Sequence, residues 1–278
     1  MSTATQTRSS APSTTSSAPA SGVLGRVLVE GVEHVYGTGA ERVVALAPVD
    51  LTIEPGEIVS LVGPSGSGKT TLLNIVAGLI TPSAGSVTIG GDPSDGRRAQ
   101  PPIGYMTQHD TLLPWRRTLA NVALPLEIQG VAKEERLERS RRLLDAVGLG
   151  EFLRHRPHQL SGGMRQRASL ARALVAGPSV LLLDEPFGAL DSGTRAALHE
   201  VLLTIHAELD TTILLVTHDL GEAVALSDRV VALGARPGRI KDEFTAPPRE
   251  TPSAVRDLYA SPELIALHND IRAAIESD

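Results

Sequence analysis

Gly63-Pro64-Ser65-Gly66-Ser67-Gly68-Lys69-Thr70 is the stretch on which the fold turns. The run fits the G-x-x-x-x-G-K-[ST] phosphate loop without a mismatch. It lies between an apolar strand pattern, Glu57 to Val62, and a helical pattern, Lys69 to Leu79. Its glycines let backbone N–H groups turn toward phosphate oxygens, Lys69 supplies a point charge at the β and γ oxygens, and Thr70 offers a hydroxyl to Mg²⁺. Strand, glycine loop and helix in that order predict an α/β fold that binds a nucleotide.

Two distant stretches add chemistry to that loop. Val180-Leu181-Leu182-Leu183-Asp184-Glu185 reads as a buried parallel strand ending in two carboxylates, at the face where open α/β sheets bind ligands. Asp184 is the candidate to hold Mg²⁺, and Glu185 the candidate to polarise the water that attacks the γ-phosphate. Leu160-Ser161-Gly162-Gly163-Met164-Arg165-Gln166-Arg167 would open a second helix, whose free N–H groups and positive dipole end make another anion site. Two phosphate-cradling elements about a hundred residues apart are more than one nucleotide needs. The second is expected to serve a neighbouring molecule's nucleotide, which makes dimerisation part of the chemistry.

Bulk properties narrow the class. The chain has 278 residues, 41% of them hydrophobic, enough for one large globular domain or two modest ones. Its net charge of −6 is spread over mixed signs with only short basic clusters, Arg97-Arg98 and Arg139-Ser140-Arg141-Arg142, so nucleic acid is not an expected partner. Without cysteine there is no disulfide, thiol nucleophile or cysteine zinc site, which fits a reducing compartment such as the cytoplasm. No apolar run approaches the roughly 18 residues that span a bilayer. Residues 1–22 are rich in Ser, Thr, Ala and Pro and lack a signal's apolar core, so a disordered tail is expected.

Along the chain, Arg26 to Ile53 suggests antiparallel strands around a Gly37-Thr38-Gly39 turn, and Thr81 to Gly85 reads as another turn. From Thr118 to Ala176 the β signal gives way to three helical patterns, Thr118–Gln129, Lys133–Val147 and Ser161–Ala176, an inserted helical subdomain. The α/β rhythm then returns: strand Val180–Leu183, helix Thr194–Glu208, strand Thr212–Val216, a short helix from Asp219, and strands near Val230 and Ile240. Prolines at 247, 248 and 252 precede a C-terminal helical extension, Ala254 to Glu276, too short for a core of its own. It could pack on the body, extend a dimer contact or carry regulation.

With these residues in this order, the chain resembles the ATPase subunit of an ATP-binding cassette (ABC) transporter from Val27 to Gly234. Leu160 to Gln166 is similar to that family's signature motif, Ala189-Leu190-Asp191 to its D-loop, Gln108 to its Q-loop glutamine and His218 to its switch histidine. Tyr36 is similar to the aromatic that stacks on adenine. The resemblance implies a P-loop NTPase fold over residues 26–246. It has a mainly parallel core sheet, an N-terminal antiparallel β subdomain and an α-helical insert at about 118–176. ATP and Mg²⁺ are the implied cofactors. The nucleotide would be bound by Tyr36, the loop Gly63 to Thr70, Thr71, Gln108 and Asp184, with the metal at Thr70, Gln108 and Asp184. A head-to-tail dimer is implied, in which Ser161, Gly162 and Gly163 of one subunit cover the γ-phosphate held by Lys69 of the other. Lys69, Glu185 and His218 are the implied catalytic residues.

His109-Asp110-Thr111-Leu112-Leu113-Pro114-Trp115-Arg116, followed by Thr118 to Leu126, resembles the nitrate/sulfonate/taurine importer branch, where a permease's cytoplasmic helix docks near this segment. Trp115, the only tryptophan, reads either as packing between subdomains or as part of that contact. Gly90 to Arg98, Ile103 to Thr107 and Ser192-Gly193 depart from the branch's usual pattern, which leaves the ATP chemistry alone and the solute open. Nitrate, sulfonates, taurine, bicarbonate and pyrimidine precursors all remain candidates. The branch implies a membrane permease as partner, a solute-binding protein indirectly, and a peripheral place on the cytoplasmic face of the membrane. An exporter or lipid-trafficking ATPase is the alternative. ABC ATPases of DNA repair or translation usually carry a coiled-coil insertion or two cassettes, and neither is present here. A module that binds ATP without turnover would not need Glu185 and His218.

Overall fold

The computed structural model describes residues 25–90, 103–248 and 261–277. Its elements begin with strands β1 (Val27–Tyr36), β2 (Val43–Ile53) and β3 (Ile58–Val62), helix α1 (Lys69–Val76), and strands β4 (Ala84–Ile89) and β5 (Ile103–Met106). Helices α2 (Thr118–Val122), α3 (Leu124–Ile128), α4 (Lys133–Ala146) and α5 (Gly162–Leu174) follow. The chain then alternates through β6 (Val180–Asp184), α6 (Ser192–Leu209), β7 (Thr212–Val216), α7 (Leu220–Leu226) and β8 (Arg229–Gly234), and ends with β9 (Arg239–Thr245) and α8 (Pro262–Glu276).

Strands β3, β6 and β7 are buried at every position, as parallel strands covered on both faces must be. They lie in a six-stranded sheet of order β5-β6-β7-β3-β8-β9, parallel except for β9, which closes the edge antiparallel to β8. Leu61 and Asp184 both pair with Val216, so the C-terminal ends of β3, β6 and β7 meet at one edge. The phosphate loop leaves β3 at that edge, Asp184 and Glu185 end β6 there, and His218 follows β7 there.

Successive residues of β6 serve opposite layers. Leu181 and Leu183 pack with Leu170, Leu174 and Leu202 from α5 and α6, whereas Val180 and Leu182 pack with Leu72, Leu73 and Val76 of α1. Each such leucine, once buried, stabilises the fold by about 1.5–3 kcal/mol. The sheet edge that carries the acids is thereby clamped from both sides.

A separate antiparallel sheet of order β2-β1-β4 covers the α1 side, with Val27, Leu51 and Ile53 in the same core as Leu72. Here one expectation is corrected: Ala84 and Gly85, read as the end of a turn, already belong to β4. Gly85 has φ 79° and a Cβ there would meet the Glu30 carbonyl at 2.4 Å, so the glycine serves a close approach to β1. The expected helix Thr118–Gln129 is likewise two helices, because Pro125 has no N–H to continue the first and instead sits in the opening turn of the second. Helix α1 stops at Val76, three residues short of the expected end. Gly78 at φ 71° lets Leu79 N–H return to the Asn74 carbonyl at 2.9 Å.

Of the C-terminal extension, α8 is described and packs on the body: Leu264 and Ile271 join Val62, Val224 and Val230. The part expected from Ala254 to Ala260, the tail at 1–22 and the stretch Gly91 to Arg98 lie outside the described residues.

Candidate active site

The phosphate loop is shaped by sterics at its two ends. A Cβ on Gly63, whose φ is 147°, would meet the Leu233 carbonyl at 2.3 Å; one on Gly68, at φ 83°, would meet Leu46 Cδ2 at 2.4 Å. Inside the turn, Lys69 Nζ donates to the carbonyls of Gly63 at 2.8 Å and Pro64 at 2.9 Å and to Ser67 Oγ at 3.3 Å. Burial holds the Lys69 ammonium below its usual pKa, opposed by the charges of Glu185 and Asp184. Pro64, Ser65 and Gly66 form the loop's outer turn, with Ser65 and Gly66 exposed and Gly66 at φ 82°.

Asp184 is the last, buried residue of β6, and Thr70 Oγ1 donates to its Oδ1 at 3.4 Å. Burial pushes its carboxyl pKa up; the Thr70 bond pulls the other way. Among the described residues, no three His, Asp or Glu side chains gather as a metal cage. Mg²⁺ sites on nucleotides rely on few carboxylates plus hydroxyl, water and phosphate oxygens. One hydroxyl beside one buried carboxylate at the loop fits that donor set, while the Gln108 amide is bonded to Glu185 beside it.

Glu185 turns the chain off the strand at φ 49°, a left-handed conformation that is strained for a residue with a side chain. Its N–H is held by the Val216 carbonyl at 2.8 Å, and its carboxylate collects the neighbours expected of a catalytic acid or base. Gln108 Nε2 donates to Glu185 Oε2 at 3.0 Å, and His218 Nδ1 stands 3.4 Å from the same oxygen. Tyr36, at the end of β1 and 44% exposed, lies over the start of α1, its hydroxyl 3.3 Å from Thr71 Oγ1 and its ring edge-on to His34. An open aromatic face beside the loop can take a base.

Ser161 N-caps α5 by accepting the Met164 N–H at 3.2 Å, and Ser161 and Gly162 are exposed. The same helix leans on the D-loop: Gln166 Oε1 accepts the Ala189 N–H at 3.3 Å, and a Cβ on Gly163 would meet Leu190 Cδ2 at 2.8 Å. Asp191 then caps α6 through the Thr194 N–H. Among the described residues, no hydrogen bond or ion pair joins Ser161, Gly162 or Gly163 to the phosphate loop of their own chain. The structure thus brings Lys69, Thr70, Asp184, Glu185, Gln108 and His218 together and leaves the Ser-Gly-Gly start outside that group.

The segment after Gln108 is tied to α5 by Arg165 Nε to Asp110 Oδ2 at 2.8 Å and by Arg172 to the Thr111 carbonyl at 2.8 Å. Asn121 braces the following turn, accepting the Leu113 N–H and donating to the Leu113 and Arg116 carbonyls. Trp115 stands on that turn 68% exposed, so packing between subdomains does not account for it.

Sequence reasoning missed the support behind His218. Asp219 caps α7 through the Glu222 N–H, and Glu222 is buried with His199. The D-x-x-E spacing of Asp219 and Glu222 is a capping signal that could have found part of it.

A phosphate loop, an acidic strand end, a glutamine and a histidine on one sheet edge, with a Ser-Gly-Gly helix start elsewhere, define an ATP-hydrolysing cassette. The chain belongs to the ABC transporter family, whose family model matches residues 46–188, and is an ATPase of that family. It is 44% identical over 230 residues to the taurine import ATP-binding protein TauB of Yersinia pestis, covering 82% of this chain and 89% of that one. To the nitrate import ATP-binding protein NrtD of Synechocystis sp. it is 46% identical over 217 residues, covering 78% and 81%. Among solved structures it is similar to a dimeric ATP-binding cassette in a post-hydrolysis state bound to ADP and Pi. That match has a TM-score of 0.72 and 35% identity, over 80% of this chain and 100% of the other.

Proposed function

We propose that this ABC ATPase powers an import system, working as a head-to-tail dimer on the cytoplasmic face of a membrane and driving a separate integral permease. A solute-binding protein would feed that permease, and small solutes of the nitrate, sulfonate or taurine type are the cargo. The observation that carries the reading is the Ser161-Gly162-Gly163 start of α5: an exposed helix N-terminus, unbonded to its own phosphate loop. It is half of a site whose other half lies on a second copy. Import and solute type are supported by relatives named for taurine and nitrate import. No helix among the described residues is long and apolar enough to cross a membrane, which agrees with a separate permease. Trp115, exposed on its braced turn beyond Gln108, supplies an apolar anchor for that contact.

Each residue then has a task. Loop N–H groups and Lys69 bind the β and γ phosphates, Thr71 follows at the start of α1, and Tyr36 supports the base. Mg²⁺ arriving with ATP supplies charge neutralisation at the phosphate oxygens. Thr70 and Asp184 would hold it, joined by Gln108. Glu185 polarises the attacking water, His218 orients Glu185 and contacts the γ-phosphate, and the second copy's Ser161, Gly162 and Gly163 donate to that phosphate.

Reconstitution with the permease in proteoliposomes tests the proposal. ATP on the face bearing this subunit should drive taurine or nitrate away from a solute-binding protein on the far side and toward the ATP side. Transport in the opposite direction would make the system an exporter.

A further inference from the structure

Behind the two catalytic turns lies a buried polar network that the chemistry above does not use. His199 on α6 is 1% exposed and Glu222 on α7 is 3% exposed, and His199 Nε2 lies 3.1 Å from Glu222 Oε1. The other carboxylate oxygen of Glu222 accepts from the Thr217 hydroxyl, and Thr217 Oγ1 accepts the Asp219 N–H at 3.1 Å. Asp219 Oδ1 in turn accepts the Glu222 N–H at 3.1 Å. Of the two chain neighbours of His218, Thr217 is therefore fastened to the buried carboxylate, and Asp219 to the Thr217 hydroxyl and the Glu222 backbone. On its other side the His199 ring meets Phe187 edge-on, with centroids 4.6 Å apart, and Phe187 is the second residue after Glu185. One imidazole thus touches the turn that carries Glu185 directly and the turn that carries His218 through Glu222 and Thr217.

Burial alone does not call for this pair. His199 Nδ1 is buried without a partner. An aliphatic side chain in its place would leave no orphaned nitrogen, so polarity here is more costly than packing requires. What the polar pair adds is direction: hydrogen bonds fix an angle and a distance between α6, α7 and the residues flanking His218, which apolar contact does not.

We propose that His199 and Glu222 are positioning residues for hydrolysis, holding the Glu185 turn and the His218 turn at a fixed separation. The proposal rests on the reading that Glu185 and His218 act on the γ-phosphate and its water. Sub-ångström displacement of a catalytic group lowers turnover while leaving nucleotide binding, which is made by the loop and Tyr36, intact.

Steady-state ATPase assays on the full-length protein in its permease complex test it, with Glu222→Leu, His199→Leu and the near-isosteric Thr217→Val. Each should lower kcat about ten- to a hundredfold, with KM for ATP within about twofold of the parent. Glu222→Gln, whose amide can still accept from His199 and donate to Thr217, and Thr217→Ser should restore most of the rate. Should the leucine variants fail to fold, Thr217→Val and its serine rescue decide alone, read beside an unchanged melting midpoint. Parent-like kcat in Thr217→Val, or equal losses in Thr217→Ser and Thr217→Val, would overturn the proposal. Glu185→Gln separates the levels: if it keeps full turnover, the underlying reading fails. If it is inactive while Thr217→Val is normal, only the positioning role fails.

Discussion

Gln108 Nε2 donates to Glu185 Oε2 at 3.0 Å, joining the entry of the helical subdomain to the acid at the end of β6. His218 Nδ1 addresses the same oxygen from 3.4 Å. A single carboxylate oxygen is thus the meeting point of three segments that are distant in the chain.

Glu185→Gln should lower kcat by about 10²–10⁴-fold, the usual contribution of a general base. The amide can still bond Gln108 and His218 but cannot polarise water, so ATP binds and a dimer accumulates that elutes at double mass. Robust turnover by this variant would remove Glu185 from the role.

Ser161→Arg should leave ATP binding to the single subunit within about threefold while abolishing ATP-driven dimerisation and hydrolysis, because it sets bulk against the second copy. It also removes the cap on Met164, at a cost of about 1 kcal/mol. Ser161→Asp keeps a capping oxygen and turns a negative charge toward the γ-phosphate, so it should show the same functional loss at an unchanged melting midpoint. Equal loss of binding and turnover would mean that the motif acts within its own chain.

Tyr36→Ala should weaken ATP binding by the worth of one aromatic stack, about 1–3 kcal/mol, with little change in maximal rate. Tyr36→Phe gives up only the 3.3 Å contact with Thr71 and should bind nearly as the parent does. Titration with a fluorescent ATP analogue measures both, and an unchanged affinity for the alanine variant would end the assignment.

Asp184 gives a pH signature. Burial holds its carboxyl above the ordinary aspartate value. A carboxyl raised in this way favours the fold while protonated, and that contribution is lost as pH climbs through its folded pKa. Asp184→Asn should therefore raise the melting midpoint near neutral pH, and the gain should shrink toward about pH 4. Mg²⁺-dependent hydrolysis should fall by about 10²-fold or more. Calorimetry across pH checks the first claim, and a destabilised variant at neutral pH would contradict it.

The residues of the candidate site were legible because their chemistry is local: eight consecutive residues write the loop, and an apolar run meeting Asp184-Glu185 writes a strand end. The edge strands β4 and β5 were not. β5 is four residues long and carries Gly104, where a Cβ would meet the Ala173 carbonyl at 2.5 Å. Its pairing with β6, not its own propensity, makes it a strand. β4 was hidden in the same way, by a glycine that serves β1. The His199–Glu222 pair was invisible because 23 residues separate its members, and the capping spacing of Asp219 and Glu222 points to the helix start and not to His199. Trp115 was visible but ambiguous, and only the turn locked by Asn121 decides which way it faces.

Lys69 reaches back to both Gly63 and Pro64, closing the phosphate loop as a ring around its own ammonium. The entropy of ordering that ring is lost once, as the chain folds, rather than in every cycle. An ATP molecule therefore arrives at a cradle already in shape, and in the dimer proposed above more of its binding free energy would be left for drawing the two subunits together.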